Sequence, residues 1–187
     1  MKLLIVYGTT EGQTRKICEY LRDKAKDDGQ EVTIVDSTGP DVDPSSFDAV
    51  LIGGSLHAEK YQASVKHYVQ EHHKTLNKMP TAFLSVSLAA IHDDPQYQKE
   101  LTDITEAFLD KTGWKPTFVE QLAGALRYTK YNFWKKFIMR MIAQKSGGST
   151  DTSRDVEYTD WNQVKWVLGQ LEKEVRYSTS EEPVRKR

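Results

Sequence analysis

The sequence predicts a doubly wound α/β fold, a five-stranded parallel sheet covered by helices on both faces. Three observations lead there. Short apolar runs alternate strictly with amphipathic stretches of helical period. The runs are continuous rather than alternating, as in strands buried on both faces. The first run, Leu3-Leu4-Ile5-Val6-Tyr7, empties into the hydroxyl-rich turn Gly8-Thr9-Thr10-Glu11-Gly12-Gln13-Thr14 and then into a helix.

Residues 2–7 form the first predicted strand. A helix over 14–28 follows, because Ile17, Cys18, Leu21 and Ala25 make one apolar stripe and Gly29 ends it. Glu31–Val35 is the second strand, and Pro44–Phe47 is a short helical turn. Ala49-Val50-Leu51-Ile52 carries the third strand within 48–53. The second long helix spans 62–76. Pro80 opens a fourth strand that runs through Val86. The helix over 96–112 turns Leu101, Ile104, Phe108 and Leu109 inward, and Phe118–Leu122 begins the fifth strand. A last helix over 161–175 shows Trp161, Val164, Leu168, Leu171 and Val175 as its stripe, with Asp160 as N-cap. One domain is expected over 1–175, with an insertion near 124–152 and a flexible polar tail over 176–187.

With 187 residues, 28% charged residues and a formal charge of -1, the composition fits one soluble domain. The single cysteine, Cys18, excludes an internal disulfide and any multi-cysteine metal site. His67, His72 and His73 lack the carboxylate or cysteine partners of a metal site, so no metal is expected. Met1-Lys2 leads directly into a strand, which predicts no secretory leader. No apolar run approaches the roughly 20 residues of a membrane-spanning helix.

Backbone N–H groups at a helix start, aided by the helix dipole, bind phosphate oxygens. Thr9, Thr10 and Thr14 add hydroxyls, and Gly12 permits close backbone approach. An ordinary strand–helix turn with Thr14 as cap is the alternative. Gly12-Gln13-Thr14 lacks the Gly-Lys pair of a Walker A loop, and the turn lacks the glycines of GxGxxG. A mononucleotide phosphate is the better guest. In such sheets ligands gather at the carboxyl ends of the strands. Loops 8–14, 54–61 and 87–95 qualify if the strand order brings them together.

The stretch between Glu120 and Asp151 contains no acidic residue and carries Arg127, Lys130, Lys135, Lys136, Arg140 and Lys145. Trp134, Phe137, Ile138, Met141 and Ile142 form a broad apolar stripe if 132–145 is helical. The pattern suits a helix lying on an anionic membrane surface. The alternative packs the stripe on the domain with the lysines in water. No nucleic-acid reading motif accompanies the charge, so nucleic acid is not an expected partner.

Thr9-Thr10-Glu11-Gly12-Gln13-Thr14 resembles the FMN-phosphate loop of the flavodoxin superfamily. The resemblance continues to about residue 175. It narrows to the bacterial flavodoxin-like protoporphyrinogen oxidases through Gly53-Gly54-Ser55-Leu56-His57, Met79 to Leu88, Ala123-Gly124-Ala125-Leu126-Arg127-Tyr128, Ser146 to Thr152 and Tyr158-Thr159-Asp160-Trp161. The resemblance implies a flavodoxin-like fold and FMN as cofactor. Thr9, Thr10, Glu11, Gly12, Gln13 and Thr14 would hold the phosphate. Ser55, Leu56, His57, Ser87, Leu88 and Ala89 would flank the ring, with Tyr61 as a further stacking candidate. The loop after Val86 has no aromatic before Tyr97, which suggests a more open ring face than in carrier flavodoxins.

The implied reaction is FMN-dependent oxidation of protoporphyrinogen IX by menaquinone or ubiquinone, in haem biosynthesis. Arg127 and His57 are the catalytic candidates. Arg127, Tyr128, Lys130, Tyr131, Trp134 and Arg140 are candidates for contact with substrate or membrane. The implied location is cytoplasmic, peripheral to the inner face of the cell membrane, and homo-oligomerisation is left open. The rivals are an NAD(P)H-dependent quinone reductase and an electron-transfer flavodoxin.

Overall fold

The computed structural model describes residues 1–91, 94–126 and 156–180. Five parallel strands form one sheet: β1 (Lys2–Gly8), β2 (Glu31–Asp36), β3 (Ala49–Ser55), β4 (Thr81–Ser87) and β5 (Phe118–Ala123). Their order is β2-β1-β3-β4-β5, so the chain winds one way from β1 to β2 and the other way from β3 to β5. That reversal is the switch point at which doubly wound sheets bind ligands. It brings the three expected loops to one edge.

The helices are α1 (Gln13–Asp27), α2 (Ala63–Leu76), α3 (Pro95–Thr112) and α4 (Trp161–Ser180). Continuous apolar strands serve two layers at once. Leu3, Ile5, Leu51 and Leu84 face α1 and α4, where Ile17, Leu21, Val164 and Leu171 meet them. Leu4, Val6, Ile52 and Phe83 face α2 and α3, against Val65, Val69, Phe108 and Trp114. Trp114 Nε1 donates to Thr81 Oγ1 at 3.2 Å, so its one polar atom is satisfied inside the core.

α4 runs past the expected end at 175 and occupies the first five positions assigned to a flexible tail. Arg176 pairs with Glu172, and the hydroxyls of Ser178, Thr179 and Ser180 bond carbonyls one turn back. These local bonds carry the helix beyond its apolar stripe. Residues 181–187, the rest of the expected tail, lie outside the described residues.

A short ladder joins the end of β5 to the start of α4. β6 (Ala125–Leu126) pairs antiparallel with β7 (Val156–Glu157). Tyr158 N–H donates to Gly124 C=O, and Thr159 Oγ1 donates to Ala123 C=O. Gln13 of α1 donates to Thr159 Oγ1 at 2.9 Å, and Lys16 pairs with Glu157. Asp160 caps α4 through Asn162 N–H, as expected. The expected helix over 132–145 lies outside the described residues.

Candidate functional site

The loops after β1, β3 and β4 enclose a cleft of about 440 Å³ counted out to its open mouth. Thr9, Thr10, Glu11, Gln13 and Thr14 form one wall, Ser55, Leu56 and His57 a second, and Val86, Ser87 and Leu88 a third. Gly124 and Ala125 close the fourth side. The first three walls were expected from sequence; Gly124 and Ala125 carried the family resemblance but were not assigned to the site, because neither has a side chain that marks a ligand contact. Ala89 falls outside this cleft and lines a neighbouring recess, because it begins the 3-10 turn Ala89–Ile91. Arg127, Tyr128, Lys130, Tyr131, Trp134 and Arg140 lie outside the described residues.

The turn after β1 presents unpartnered donors at the start of α1. Gly12 sits at the N-cap of α1 with φ 94°, a left-handed conformation that glycine adopts without steric cost. Its N–H donates to Thr9 Oγ1 at 2.9 Å. The first intrahelical bond runs from Lys16 N–H to Gly12 C=O, so the N–H groups of Gln13, Thr14 and Arg15 have no partner within the helix. Thr14 does not cap the helix, and no side chain does. Its Oγ1 is buried without a hydrogen-bond partner. A buried hydroxyl in that state costs about 1–3 kcal/mol until something fills it. No lysine or arginine lines the cleft among the described residues, and Glu11 adds a carboxylate. Anion binding here therefore relies on N–H groups, hydroxyls and the helix dipole.

Gln62 joins the walls. Its Nε2 donates to Thr10 Oγ1 and to Ser55 Oγ, each at 3.0 Å, and its Oε1 accepts from Ser55 N–H at 3.1 Å. The sequence offered no sign of this role, since a glutamine opening the expected 62–76 helix reads as an ordinary surface residue. The β4 side is held by backbone: Leu56 N–H donates to Val86 C=O and Gly124 N–H to Ser87 C=O. Leu56 and Leu88 bring apolar side chains to the mouth, while Ser55 and Ser87 bring hydroxyls. Together the walls offer N–H and hydroxyl donors at one end and apolar side chains with hydroxyls at the other, a donor set that fits a flavin mononucleotide.

Tyr61 does not face the cleft. Its ring packs on Phe83 and Phe108 with centroids 5.1 and 4.8 Å away. Its hydroxyl meets Ser85 Oγ at 2.8 Å and Thr105 Oγ1 at 2.9 Å. Thr105 spends its own proton on Leu101 C=O, so Tyr61 must donate to Thr105. Burial pushes the Tyr61 phenol above its ordinary pKa, opposed by these hydrogen bonds, so it remains a neutral donor. Cys18 lies below Gly53, and burial pushes its thiol well up, which keeps it protonated and unreactive.

His57 occupies a strained hairpin. His57 and Lys60 exchange backbone hydrogen bonds of 3.0 and 3.1 Å across Ala58 and Glu59. Ala58 has φ 47° and Glu59 φ 61°, both left-handed without being glycine. Such residues carry about 1–2 kcal/mol of strain each. Ala58→Gly is therefore expected to stabilise the protein by about 0.5–1 kcal/mol, after the entropy of the new glycine is subtracted. Thermal unfolding should show a Tm rise of about 1–3 °C; a fall would mean that the turn is not strained.

A family profile described as a flavodoxin domain matches residues 4–153. Among curated proteins, the chain is 36% identical over 166 residues to the protoporphyrinogen IX dehydrogenase [quinone] of Escherichia coli strain K12, covering 88% of this chain and 91% of that protein. It is 34% identical over 167 residues to the protein of that name from Leishmania major, covering 88% and 71%. Among solved structures, oxidised Flavodoxin 1 from Bacillus cereus superposes with a TM-score of 0.52 over 95% of this chain and 99% of that one, at 12% identity. The last similarity concerns the fold alone.

Proposed function

Because this chain belongs to the flavodoxin domain family, and within it to the quinone-dependent protoporphyrinogen IX dehydrogenases, we propose that it oxidises protoporphyrinogen IX with FMN as cofactor and a quinone as acceptor. The observation that carries this reading is the length of the similarity, which reaches far beyond a phosphate loop. The unpartnered Thr14 hydroxyl supports the cofactor independently.

FMN, when bound, supplies the two-electron redox chemistry that no side chain possesses. The protein's part is to bind and orient. The N–H groups of Gln13, Thr14 and Arg15 and the hydroxyls of Thr9, Thr10 and Thr14 would hold the phosphate, and Glu11 and Gly12 would contribute main chain. Leu56 and Leu88 would cover the ring, and Ser55 and Ser87 would offer hydrogen bonds along its edge. Protoporphyrinogen IX loses six electrons and six protons in becoming protoporphyrin IX. Three quinones take up two electrons and two protons each and leave as quinols. His57, at the cleft wall, is the candidate to hold a proton in transit.

Substrate contacts are assigned to the segment that begins just after β6. Arg127 follows cleft-lining Ala125 by two positions in the chain. The guanidinium groups of Arg127 and Arg140 and the ammonium of Lys130 would supply cations for two propionates. Tyr128, Tyr131 and Trp134 would supply ring contacts. The same basic segment supports docking on an anionic membrane, where menaquinone or ubiquinone resides. No helix among the described residues is long and apolar enough to cross a membrane.

The test is anaerobic turnover of FMN-loaded protein with protoporphyrinogen IX and a panel of quinones, with and without anionic vesicles. Fluorescent porphyrin should form together with three quinols per macrocycle. Arg127→Ala should raise the KM for porphyrinogen while FMN content stays intact. NAD(P)H-driven quinone reduction without porphyrin formation would replace this reading with that of a quinone reductase. Absence of both activities in a protein that binds FMN would leave an electron carrier.

A further inference from the structure

A second recess opens beside the cleft, between the strained hairpin and α3. It measures about 710 Å³ counted out to its open mouth. Tyr97, Leu101 and Ile104 of α3 form its far wall. Leu56, Ser87 and Leu88 form the near wall, and these same residues line the cleft. A flat ligand seated here would therefore touch the side chains assigned to the cofactor ring. The α3 wall is tied in place, since Thr105, next to Ile104, bonds Tyr61, Gln121 and the Leu101 carbonyl. Apolar recesses with few polar groups and a fixed wall are the usual form of a small-molecule site.

The charges at the rim discriminate between the two reactants. Glu59 and Glu100 line the recess, and no cation does among the described residues. A macrocycle with two propionates would meet like charge there, and juxtaposed like charges exclude the wrong partner. A neutral quinone meets no such penalty. We propose that this recess is the acceptor subsite, which seats the quinone ring against Leu101 and Ile104 while it takes two electrons and two protons and leaves as a quinol. The electrons come from the porphyrinogen by way of the cofactor, so the assignment rests on the function proposed above.

Two measurements on the FMN-loaded protein test it. In methyl-detected NMR, the signals of Leu101 and Ile104 should shift when menadione is titrated into oxidised protein, while those of Val69 and Leu171 in the two core layers should not. In steady-state kinetics, Ile104→Trp fills the recess and should raise the KM for menadione about tenfold, with porphyrinogen KM much less affected. Glu100→Lys, at an exposed position, should lower the KM of a sulfonated naphthoquinone relative to that of menadione by about threefold. Methyl signals that stay in place, or an Ile104→Trp effect on porphyrinogen KM instead, would overturn the assignment. Menadione-dependent shifts in a protein that makes no porphyrin would refute the proposed substrate and leave the quinone subsite standing. Normal porphyrin formation with unmoved methyls would do the reverse.

Discussion

Thr14→Val is expected to weaken FMN binding by about 10–100-fold while stabilising the FMN-free protein by about 1 kcal/mol. The two effects have opposite signs because one atom causes both. Thr14 is 1% exposed, and its Oγ1 has no partner in the protein. Valine keeps the shape and the β-branching and removes only the unsatisfied hydroxyl. The free protein thereby loses a desolvation penalty. The complex loses a hydrogen bond to a charged phosphate, which is worth about 1.5–3 kcal/mol. Flavin fluorescence titration measures the first effect and urea unfolding without FMN the second. Added FMN should also raise the unfolding midpoint of the variant less than that of the wild type. Unchanged FMN affinity would show that the hydroxyl faces no phosphate.

Gly8→Ala is expected to cost about 2–3 kcal/mol and to loosen the cleft with it. Gly8 ends β1 in register with Gly54 of β3. A Cβ built on Gly8 overlaps Val65 Cγ2 and lies 3.0 Å from Gln62 Oε1 and 3.1 Å from Ser37 Oγ. β1 is paired on both sides, by β2 and β3, and has no room to shift, so α2 must retreat. Gln62, at the start of α2, would then lose its grip on Thr10 and Ser55. Val65→Ala removes the methyl that is struck. In the Gly8→Ala/Val65→Ala double variant the summed cost should fall short of the two single costs by about 1–2 kcal/mol, and FMN affinity should partly return. Strict additivity would mean that the clash is relieved elsewhere.

Much of this molecule is legible in its local pattern. The five strands and four helices lie within a few residues of where the apolar periodicity places them, from Leu3–Tyr7 to the Trp161 stripe. The backbone of the turn after β1 is equally local, since Gly12 bonds Thr9 and Lys16, three and four positions away. Tyr61 misleads for a physical reason. An aromatic near a cleft loop can turn outward to a ligand or inward to the core, and Phe83, Phe108 and Ser85 lie far from it in sequence.

The local sequence was sufficient to specify the layers, the hydroxyl-rich turn that opens α1 and the basic segment after β5. Each follows from periodicity, backbone chemistry or charge read within a short window. Folding alone decided that loops from three strands meet, that Gln62 locks Thr10 to Ser55, that Gly124 and Ala125 close the cleft, and that an acidic-rimmed recess opens beside it. Such features arise from residues brought together across the sheet, and a contact between distant positions leaves no mark in either segment read by itself.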